Sequence, residues 1–332
     1  MTESAPLFLA VTGVTASGKT DLSLALAEHV PIEIISMDSR QVYVGMDVGT
    51  DKVESPARDA VPHHGLDLVR PNQRYSAGQF ARDVRRWVGE IKLRGAFPVL
   101  VGGTGFFLRA VTDPVFREPP LDEDRRMALR AHLSDQPHEV LSRFVTALDP
   151  VRAPLAIEGG PQRMSRAIEV ALLSGVPLSR WHLEAPPEAD GLPGVVLVLD
   201  LPRDEMDRRI DDRVATMVER GLVDEVRALL EAGYVDADPG MSGTGYREIS
   251  AYLRGDTTLD DAIEDIRRNT RRYARRQLTW YRNKLSDSCV RIDATLPLNE
   301  QVAIALQALE SAGITRPTTT ASPQPPLTAS NG

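Results

Sequence analysis

A short segment near the start of the chain contains two glycines, a lysine and a threonine at the spacing of a phosphate-binding loop. The segment fits G-x-x-x-x-G-K-[ST], in which backbone amides cradle phosphate oxygens, the lysine adds positive charge and the hydroxyl binds Mg²⁺. Its residues are Gly13, Val14, Thr15, Ala16, Ser17, Gly18, Lys19 and Thr20. An apolar run at 7–12 precedes it and a helical pattern at 21–28 follows it. The pattern predicts a di- or triphosphate site with Thr20 as a Mg²⁺ ligand, but it does not specify which phosphate binds.

A carboxylate is expected beside this loop. The apolar run 32–36 predicts a second strand, and Asp38 follows its end. Ligands of open α/β sheets bind beyond the carboxyl ends of the strands, so Asp38 could deprotonate a nucleophile there. Further strands are predicted at 97–101 and 195–199, and the first of these runs into two glycines. The acidic residue that positions Mg²⁺ or water in many P-loop ATPases is therefore missing from its expected place.

These residues allow two reactions. Attack on phosphorus would make the protein a kinase, whereas attack on carbon would make diphosphate the leaving group. Arg209 and Arg213, which are i,i+4 neighbours on a predicted helix, could stabilise the developing charge in either case. Alternatively, both arginines pair on the surface with Asp207 or Asp212. The residues alone leave the reaction open, and the number of P-loop enzymes that move phosphate favours the kinase.

The segment 266–284 concentrates positive charge and contains no acidic residue. Its basic residues are Arg267, Arg268, Arg271, Arg272, Arg275, Arg276, Arg282 and Lys284. On a helix, six of these arginines form two i,i+4 rows on one half of the cylinder, with apolar and aromatic residues behind them. Because the whole chain has a net charge of −8, this concentration predicts a polyanionic partner such as RNA or a diphosphate. The alternative is a solvated face that pairs with Glu264, Asp265 and other carboxylates.

Composition excludes several classes of protein. Of the 332 residues, 42% are hydrophobic, which is enough for a sizeable core. Cys289 is the only cysteine, so an internal disulfide and a cysteine-based zinc site are excluded. The adjacent His63 and His64 lack a third ligand with motif-like spacing, so we expect them to pack or hydrogen-bond rather than bind metal. The sequence shows no signal peptide or membrane-spanning run, and we expect a cytoplasmic protein.

Shifts in composition predict the organisation of the chain. The predicted fold class is α/β, a P-loop NTPase-like core with a parallel sheet flanked by helices, plus a mostly helical insertion domain. Prolines near 114 and 119 interrupt the core pattern, and 122–147 is charged with helical periodicity. The expected bounds are 1–114 and 188–315 for the discontinuous core, 115–187 for the tRNA-binding insertion implied below, and 316–332 for a disordered low-complexity tail.

Seven segments together resemble the tRNA dimethylallyltransferase family. They are TASGKT at 15–20, DSRQVY with GMDVGT at 38–50, YSAGQF at 75–80, VGGTG at 101–105, QRMSRAIEV at 162–170, GYRE at 245–248 and RRYARRQLTW at 271–280. They occur in the family's order between residues 7 and 284. Each segment alone is weak evidence for the family, but the seven together favour attack on carbon over attack on phosphorus.

The resemblance implies transfer of a dimethylallyl group from dimethylallyl diphosphate to N6 of the adenosine immediately 3′ of the anticodon, in tRNAs that read codons starting with U. It also implies Mg²⁺ dependence, and we expect a monomer. Asp38 would be the general base, while Lys19, Arg213 and the loop would hold the diphosphate. The anticodon stem-loop would contact Asp38, Ser39, Arg40, Gln41, Thr104, Arg126, Gln162, Arg163, Met164, Ser165, Arg166, Ser242, Gly243, Thr244, Gly245, Tyr246 and Arg247.

Three positions depart from the family pattern. Val14 replaces a proline, Phe107 replaces a tyrosine, and Gly159-Gly160 replaces an Asn-Asp turn. The rival functions are an isopentenyltransferase for free adenine nucleotides, a P-loop small-molecule kinase, and a non-catalytic RNA-binding NTP sensor. The insertion and the segment 162–166 favour tRNA as the acceptor.

Overall fold

A parallel β-sheet organises the larger part of the molecule. The structure is a computed structural model that describes residues 5–114, 117, 119–185, 187–286 and 288–314. Within these residues the strands are β1 (Phe8–Gly13), β2 (Ile32–Ser36), β3 (His63–His64), β4 (Phe97–Val101), β5 (Gly194–Asp200) and β6 (Val290–Asp293). All strand pairs are parallel, in the order β3-β2-β4-β1-β5-β6. The predicted α/β class with a parallel sheet is confirmed.

Helices flank the sheet and also build a separate unit. Those of the core are α1 (Lys19–Ala27), α2 (Ser55–Ala60), α3 (Ala77–Leu93), α4 (Gly105–Thr112), α10 (Arg203–Glu219), α11 (Leu222–Glu231), α12 (Tyr246–Arg254), α13 (Leu259–Lys284) and α14 (Leu298–Ser311). Those of the separate unit are α5 (Glu123–Ser134), α6 (His138–Leu148), α7 (Ala153–Glu158), α8 (Pro161–Ser174) and α9 (Leu178–Glu184).

The central strands bring three chain segments to one edge of the sheet. Strand β1 is buried along its whole length and pairs with β4 on one side and β5 on the other. Ser36 at the end of β2 is level with Val101 at the end of β4. Since parallel strands end at the same edge, the loops that follow β1, β2 and β4 meet there.

The sequence did not predict two of the strands or the interruption between helices α5 and α6. Strand β3 contains only His63 and His64, which is too short to produce a periodic pattern, and the sequence alone suggested an irregular stretch. Strand β6 reads Val-Arg-Ile-Asp at the edge of the sheet. The helical pattern predicted at 122–147 is two helices, α5 and α6, because Pro137 interrupts it.

The chain divides into two compact units. One comprises Met1–Asp113 with Leu192–Gly332, and the other is Pro114–Gly191, within which the predicted insertion 115–187 falls. The smaller unit has its own apolar core, formed by residues such as Leu141, Val145 and Ile168. The predicted disordered tail, 316–332, lies outside the described residues. Within the described ranges, every helix is too short or too polar to cross a bilayer.

Candidate active site

The phosphate loop lies between β1 and α1, as its motif requires. Gly18 has φ +83, a left-handed conformation that glycine adopts without steric cost, and α1 begins at the next residue. The Lys19 Nζ donates to the Val14 carbonyl at 2.6 Å, so the ammonium lies against the loop. Residues 15–20 line a cavity of about 510 Å³, here called the first cavity. The N-terminus of α1 beside this cavity favours an anion.

The first cavity disfavours additional positive charge when it holds no anion. Burial, reinforced by the nearby Arg213 guanidinium, lowers the pKa of Lys19 from 10.5 to about 7. The carboxylates of Asp38 and Asp51 act in the opposite direction but do not restore the ordinary pKa. A bound phosphate group would stabilise the charged ammonium.

Asp38 lies where two cavities meet. It follows β2 by two residues, is half-buried, and its Oδ1 accepts the Arg40 amide at 2.8 Å. A second cavity, of about 500 Å³, lies on its other side. Thr15, Asp38, Arg213 and Tyr273 line both cavities. A group held in one cavity can therefore reach a group held in the other at this carboxylate.

Arg213 reaches the same junction from α10. Its Nη1 donates to the Thr15 hydroxyl at 2.7 Å, and its Nε lies 3.4 Å from the Asp51 carboxylate. The predicted alternative, surface pairing with Asp207 or Asp212, is wrong for this residue. It is wrong for Arg209 too, which lines the first cavity and donates to Glu205 at 2.7 Å.

Two polar side chains of α13 connect the phosphate loop to the glycines after β4. Gln277 accepts the Thr15 amide at 3.0 Å and donates to the Gly103 carbonyl at 2.8 Å. The Tyr281 hydroxyl lies 3.0 Å from the Gly13 carbonyl and 3.1 Å from that of Gly103. On the helical pattern of 266–284, both fall on the half of the cylinder opposite the arginine rows. A glutamine within an apolar face was the available signal, because a buried amide requires partners.

The second cavity is lined by several residues predicted to contact tRNA. They are Asp38, Ser39, Arg40, Ser242, Thr244, Gly245 and Arg247. Arg40 joins the two loops that carry them, since its Nη1 donates to the Pro239 carbonyl at 2.8 Å. Thr104, immediately before α4, supports the same loop, because its hydroxyl accepts the Ser39 amide at 3.1 Å. Two segments about 200 positions apart in the chain thus form one wall of the second cavity.

Comparison with known proteins agrees with this architecture. A family model described as IPP transferase matches residues 41–284. The chain belongs to the IPP transferase family. The chain is 42% identical over 277 residues to a tRNA dimethylallyltransferase of Geobacter metallireducens, covering 82% of this chain and 88% of that protein. It is 39% identical to the enzyme of the same name from Geobacillus kaustophilus, covering 83% and 87%.

Solved structures of tRNA-modifying transferases are also similar to this chain. The tRNA isopentenylpyrophosphate transferase of Bacillus halodurans matches with a TM-score of 0.65 and 34% identity, over 92% of this chain and 97% of that one. A eukaryotic dimethylallyltransferase, described as acting on tRNA, matches with a TM-score of 0.77 and 25% identity, over 94% and 81%.

Other residues that were predicted to contact tRNA contact the rest of the protein. Gln41 lines the first cavity, and its Nε2 donates to the Thr50 and Asp51 carbonyls at 3.1 and 3.2 Å. Tyr246 is 1% exposed and donates to Glu225 at 2.6 Å, so its side chain has no surface to offer an RNA in this conformation. Gly243 lies beside both Tyr246 and the Arg40 side chain.

The predicted contacts in the smaller unit differ in exposure. Gln162 and Arg163 are exposed at the start of α8, and Ser165 is half-buried. Met164 is fully buried, so its side chain packs in the core instead of facing an RNA. Arg126 lies 3.3 Å from the buried Glu169 and is 17% exposed, and Arg166 lies 3.9 Å from the same carboxylate. Together with Arg130, whose Nε donates to Glu169 at 2.7 Å, these arginines compensate a buried charge.

The six arginines of α13 between 267 and 276 divide into two groups. Arg267, Arg268, Arg271 and Arg275 pair with Glu264, Asp265, Asp211 and Asp207, respectively. The predicted alternative of internal pairing therefore holds for these four. Arg272 and Arg276 line the second cavity, and neither has a carboxylate within 4.0 Å among the described residues. Of the arginines between 267 and 276, those without a carboxylate partner among the described residues therefore lie at the second cavity.

Within the described ranges, no three or more His, Cys, Asp or Glu side chains are grouped so that they could hold a metal ion. His64 Nε2 contacts Glu33 at 2.7 Å and His63 Nδ1 contacts the Val61 carbonyl at 2.6 Å, as expected for hydrogen-bonded histidines. Thr20 lines the first cavity with its side chain exposed. One hydroxyl beside a phosphate site fits Mg²⁺, which keeps several waters and takes its other ligands from substrate phosphates.

Two departures from the family pattern lie in the interior. Val14 is 0% exposed. Phe107 is 3% exposed and stacks on Phe80 with ring centroids 4.3 Å apart. Both positions therefore contribute to packing next to the loops of the site.

Proposed function

We propose that this protein alkylates N6 of the adenosine immediately 3′ of the anticodon in tRNA, using dimethylallyl diphosphate and releasing diphosphate. The observation that carries this proposal is the position of Asp38 between a cation-lined cavity with a phosphate loop and a second cavity with exposed arginines. The names of the relatives, tRNA dimethylallyltransferases, support both substrates.

The first cavity would hold the diphosphate. As the bond between the allylic carbon and the diphosphate oxygen breaks, negative charge accumulates on the leaving group. Lys19, Arg213 and the amides of the phosphate loop stabilise that charge from fixed positions, which is the largest expected contribution to the rate. Magnesium, when bound by Thr20 and the phosphate oxygens, supplies further positive charge there.

The second cavity would receive the adenine. Its N6 lone pair forms the new bond to the allylic carbon, the carbon–oxygen bond breaks with its electrons passing to diphosphate, and the N6 proton passes to the Asp38 carboxylate. Held by the Arg40 amide at Oδ1, the carboxylate is oriented before the base arrives. The base has to leave the loop stack to enter, at a cost of a few kcal/mol.

The tRNA backbone would lie over the outer arginines of the second cavity. Arg247 is 58% exposed, and Arg272 and Arg276 face the same space. Phosphate contacts of this kind position an RNA without selecting its sequence. The exposed Gln162 and Arg163 of the smaller unit are a second set of candidate contacts. We place the reaction in the cytoplasm and expect the protein to act as a monomer.

A label-transfer assay tests the proposal. The protein is incubated with Mg²⁺ and either dimethylallyl diphosphate labelled in its carbon chain or γ-labelled ATP, with tRNA, AMP or no acceptor. We expect carbon label in tRNA only. Carbon label in AMP would indicate the nucleotide-dependent isopentenyltransferase, and phosphate label in any acceptor would indicate a kinase. Either result would overturn the proposal.

A further inference from the structure

A carboxylate lies between two arginines inside the first cavity. The Asp51 Oδ2 is 3.4 Å from the Arg213 Nε, and its Oδ1 is 3.4 Å from the Arg220 Nη1. All three residues line the cavity together with Lys19. Sequence reasoning assigned no role to Asp51 or Arg220. Asp21, Asp38 and Glu54 also line this cavity, but among the described residues Asp51 is the carboxylate that lies within 4.0 Å of both arginines.

The backbone fixes the Asp51 carboxylate in this place. Asp51 has φ +53, in the left-handed region, and its carbonyl accepts the Gln41 amide at 3.2 Å. The next residue, Lys52, is buried and donates to Asp47 at 2.7 Å, Asp67 at 2.6 Å and the Tyr43 carbonyl at 2.6 Å. The loop is therefore held by side chains that do not depend on the two arginines.

The arginines are also held without Asp51. Arg213 donates to the Thr15 hydroxyl at 2.7 Å, and Arg220 lies 2.9 Å from the Glu54 carboxylate. Both contacts are shorter than those to Asp51. Asp51 thus acts less as a support for the arginines than as a counter-charge, and 41% of its side chain is exposed to solvent in the cavity.

The separation between these groups suits exchange with a ligand. An ion pair at 3.4 Å between partly exposed side chains contributes little to stability, so its loss is easily offset. A phosphate group offers more charge and more acceptor atoms to two guanidinium groups than one carboxylate does. The substrate can therefore replace Asp51 as their partner.

We infer that Arg213 and Arg220 form a second phosphate subsite in the first cavity, and that Asp51 is an internal anion that diphosphate displaces from it. This inference rests on the proposed function, because it assigns one phosphate group to the loop and the other to the two arginines. Asp51 keeps the arginines neutralised before substrate arrives. It also weakens the hold on diphosphate after the reaction, which favours release of the product.

The first test measures the binding of inorganic diphosphate with Mg²⁺ to the full-length protein by calorimetry. Asp51→Asn removes the charge but keeps the shape, and asparagine is well tolerated in the left-handed region. We expect it to lower the Kd about threefold to fivefold, the range of a partly exposed ion pair. The matched control is Asp21→Asn, which removes an equal charge from the lining of the same cavity. Equal gains in both variants would show a general charge effect and overturn the inference.

The second test removes the Arg220 guanidinium, which is one of the two partners of Asp51. Arg220→Gln should raise the Kd for diphosphate and the KM for dimethylallyl diphosphate by about threefold to fivefold, without changing the KM for tRNA. In the double variant, the effect of Asp51→Asn should be smaller than in the wild type, because one of its two partners is gone. Weaker binding in Asp51→Asn, or full additivity in the double variant, would contradict the displacement of Asp51.

Failure of this inference can be distinguished from failure of the proposed function. The calorimetric measurement contains no tRNA and requires no turnover. Binding of diphosphate without alkylation of tRNA would reject the proposed function and leave the subsite standing. Alkylation of tRNA with unchanged diphosphate affinity in Asp51→Asn would reject the subsite alone.

Discussion

The two cavities share Asp38 but are built differently. Both are lined by segments from distant parts of the chain, but the first includes the phosphate loop and its cations have internal contacts: Lys19 with a backbone carbonyl and Arg213 with a hydroxyl. In the second, Arg272 and Arg276 lie one turn apart on α13 and line the cavity without a carboxylate within 4.0 Å among the described residues. The first cavity is organised before a ligand binds, whereas the second presents charge to a partner that has yet to arrive.

This difference has a physical reason. Transition-state stabilisation depends on groups that are already in position, because reorienting them during the reaction costs free energy. Binding an RNA backbone depends on uncompensated cations that release counterions, and less on their exact geometry. The predictions below separate the two cavities by asking which substrate each variant affects.

The largest effect is expected at the shared residue. Asp38→Ala should lower kcat by about 10²–10⁴-fold, the range for a general base, because Asp38 is the one carboxylate among the described residues that line both cavities. Affinity for an anticodon stem-loop, measured by filter binding, should stay within about twofold because phosphate contacts supply most of it. Unchanged turnover would remove Asp38 from the base role.

Lys19→Met should act on the first cavity alone. Loss of one fixed cation should lower kcat/KM for dimethylallyl diphosphate by about 10²–10³-fold, while the Kd for the stem-loop is unchanged. Steady-state kinetics with each substrate varied in turn measure both quantities. Lys92→Met on the exposed side of α3 is the control and should change neither. A comparable loss of stem-loop affinity in Lys19→Met would mean that the cavities are not functionally separate.

Gln277→Leu should loosen the connection between the two halves of the site. It leaves the Thr15 amide without its partner and the Gly103 carbonyl with Tyr281 as its remaining side-chain donor, at a cost of about 1–3 kcal/mol in the free energy of unfolding. Gln301→Leu is matched, since Gln301 is also buried and donates to one backbone carbonyl, but in α14. Denaturant unfolding should show a loss in both variants, and only Gln277→Leu should also lose activity. Equal activities would limit Gln277 to a role in stability.

Arg276→Gln should act on the second cavity alone. The KM for the stem-loop should rise several-fold, and the slope of log affinity against log salt should fall by about one, as for the loss of one phosphate contact. Arg268→Gln is the control on the same helix, because Arg268 already pairs with Asp265 at 2.5 Å. If both variants lose the same amount, the division of the α13 arginines into paired and available groups is wrong.

The smallest effect concerns pH. Because the pKa of Lys19 is about 7 in the empty cavity, its ammonium is charged below that pH and increasingly neutral above it. Bound diphosphate raises this pKa, so at about pH 8 binding should take up a proton. Calorimetry in two buffers of different ionisation enthalpy measures the uptake. Lys19→Met should lack this component, and equal uptake in the variant would assign the proton elsewhere.

Local patterns in the sequence were enough to predict the phosphate loop and the carboxylate beside it. The phosphate loop, four of the strands and the position of Asp38 depend on residues close together in the chain. The contact between Thr15 and Gln277 joins residues 262 positions apart, and no periodic pattern reports such a pair. Asp51 and Arg220 escaped notice for the same reason, because only the fold brings α10 and its C-terminal end to that loop. Burial of Met164 and Tyr246 likewise depends on packing rather than on motif.

The central claim is that an amine is alkylated at Asp38 while diphosphate leaves the first cavity. The most direct measurement counts inorganic diphosphate and N6-(dimethylallyl)adenosine in the same reaction with an unmodified anticodon stem-loop. We predict equal amounts of the two products, and neither product when the acceptor adenosine is replaced by a purine nucleoside without the N6 amine. Release of diphosphate without modified adenosine, or modification that survives loss of the amine, would contradict the account.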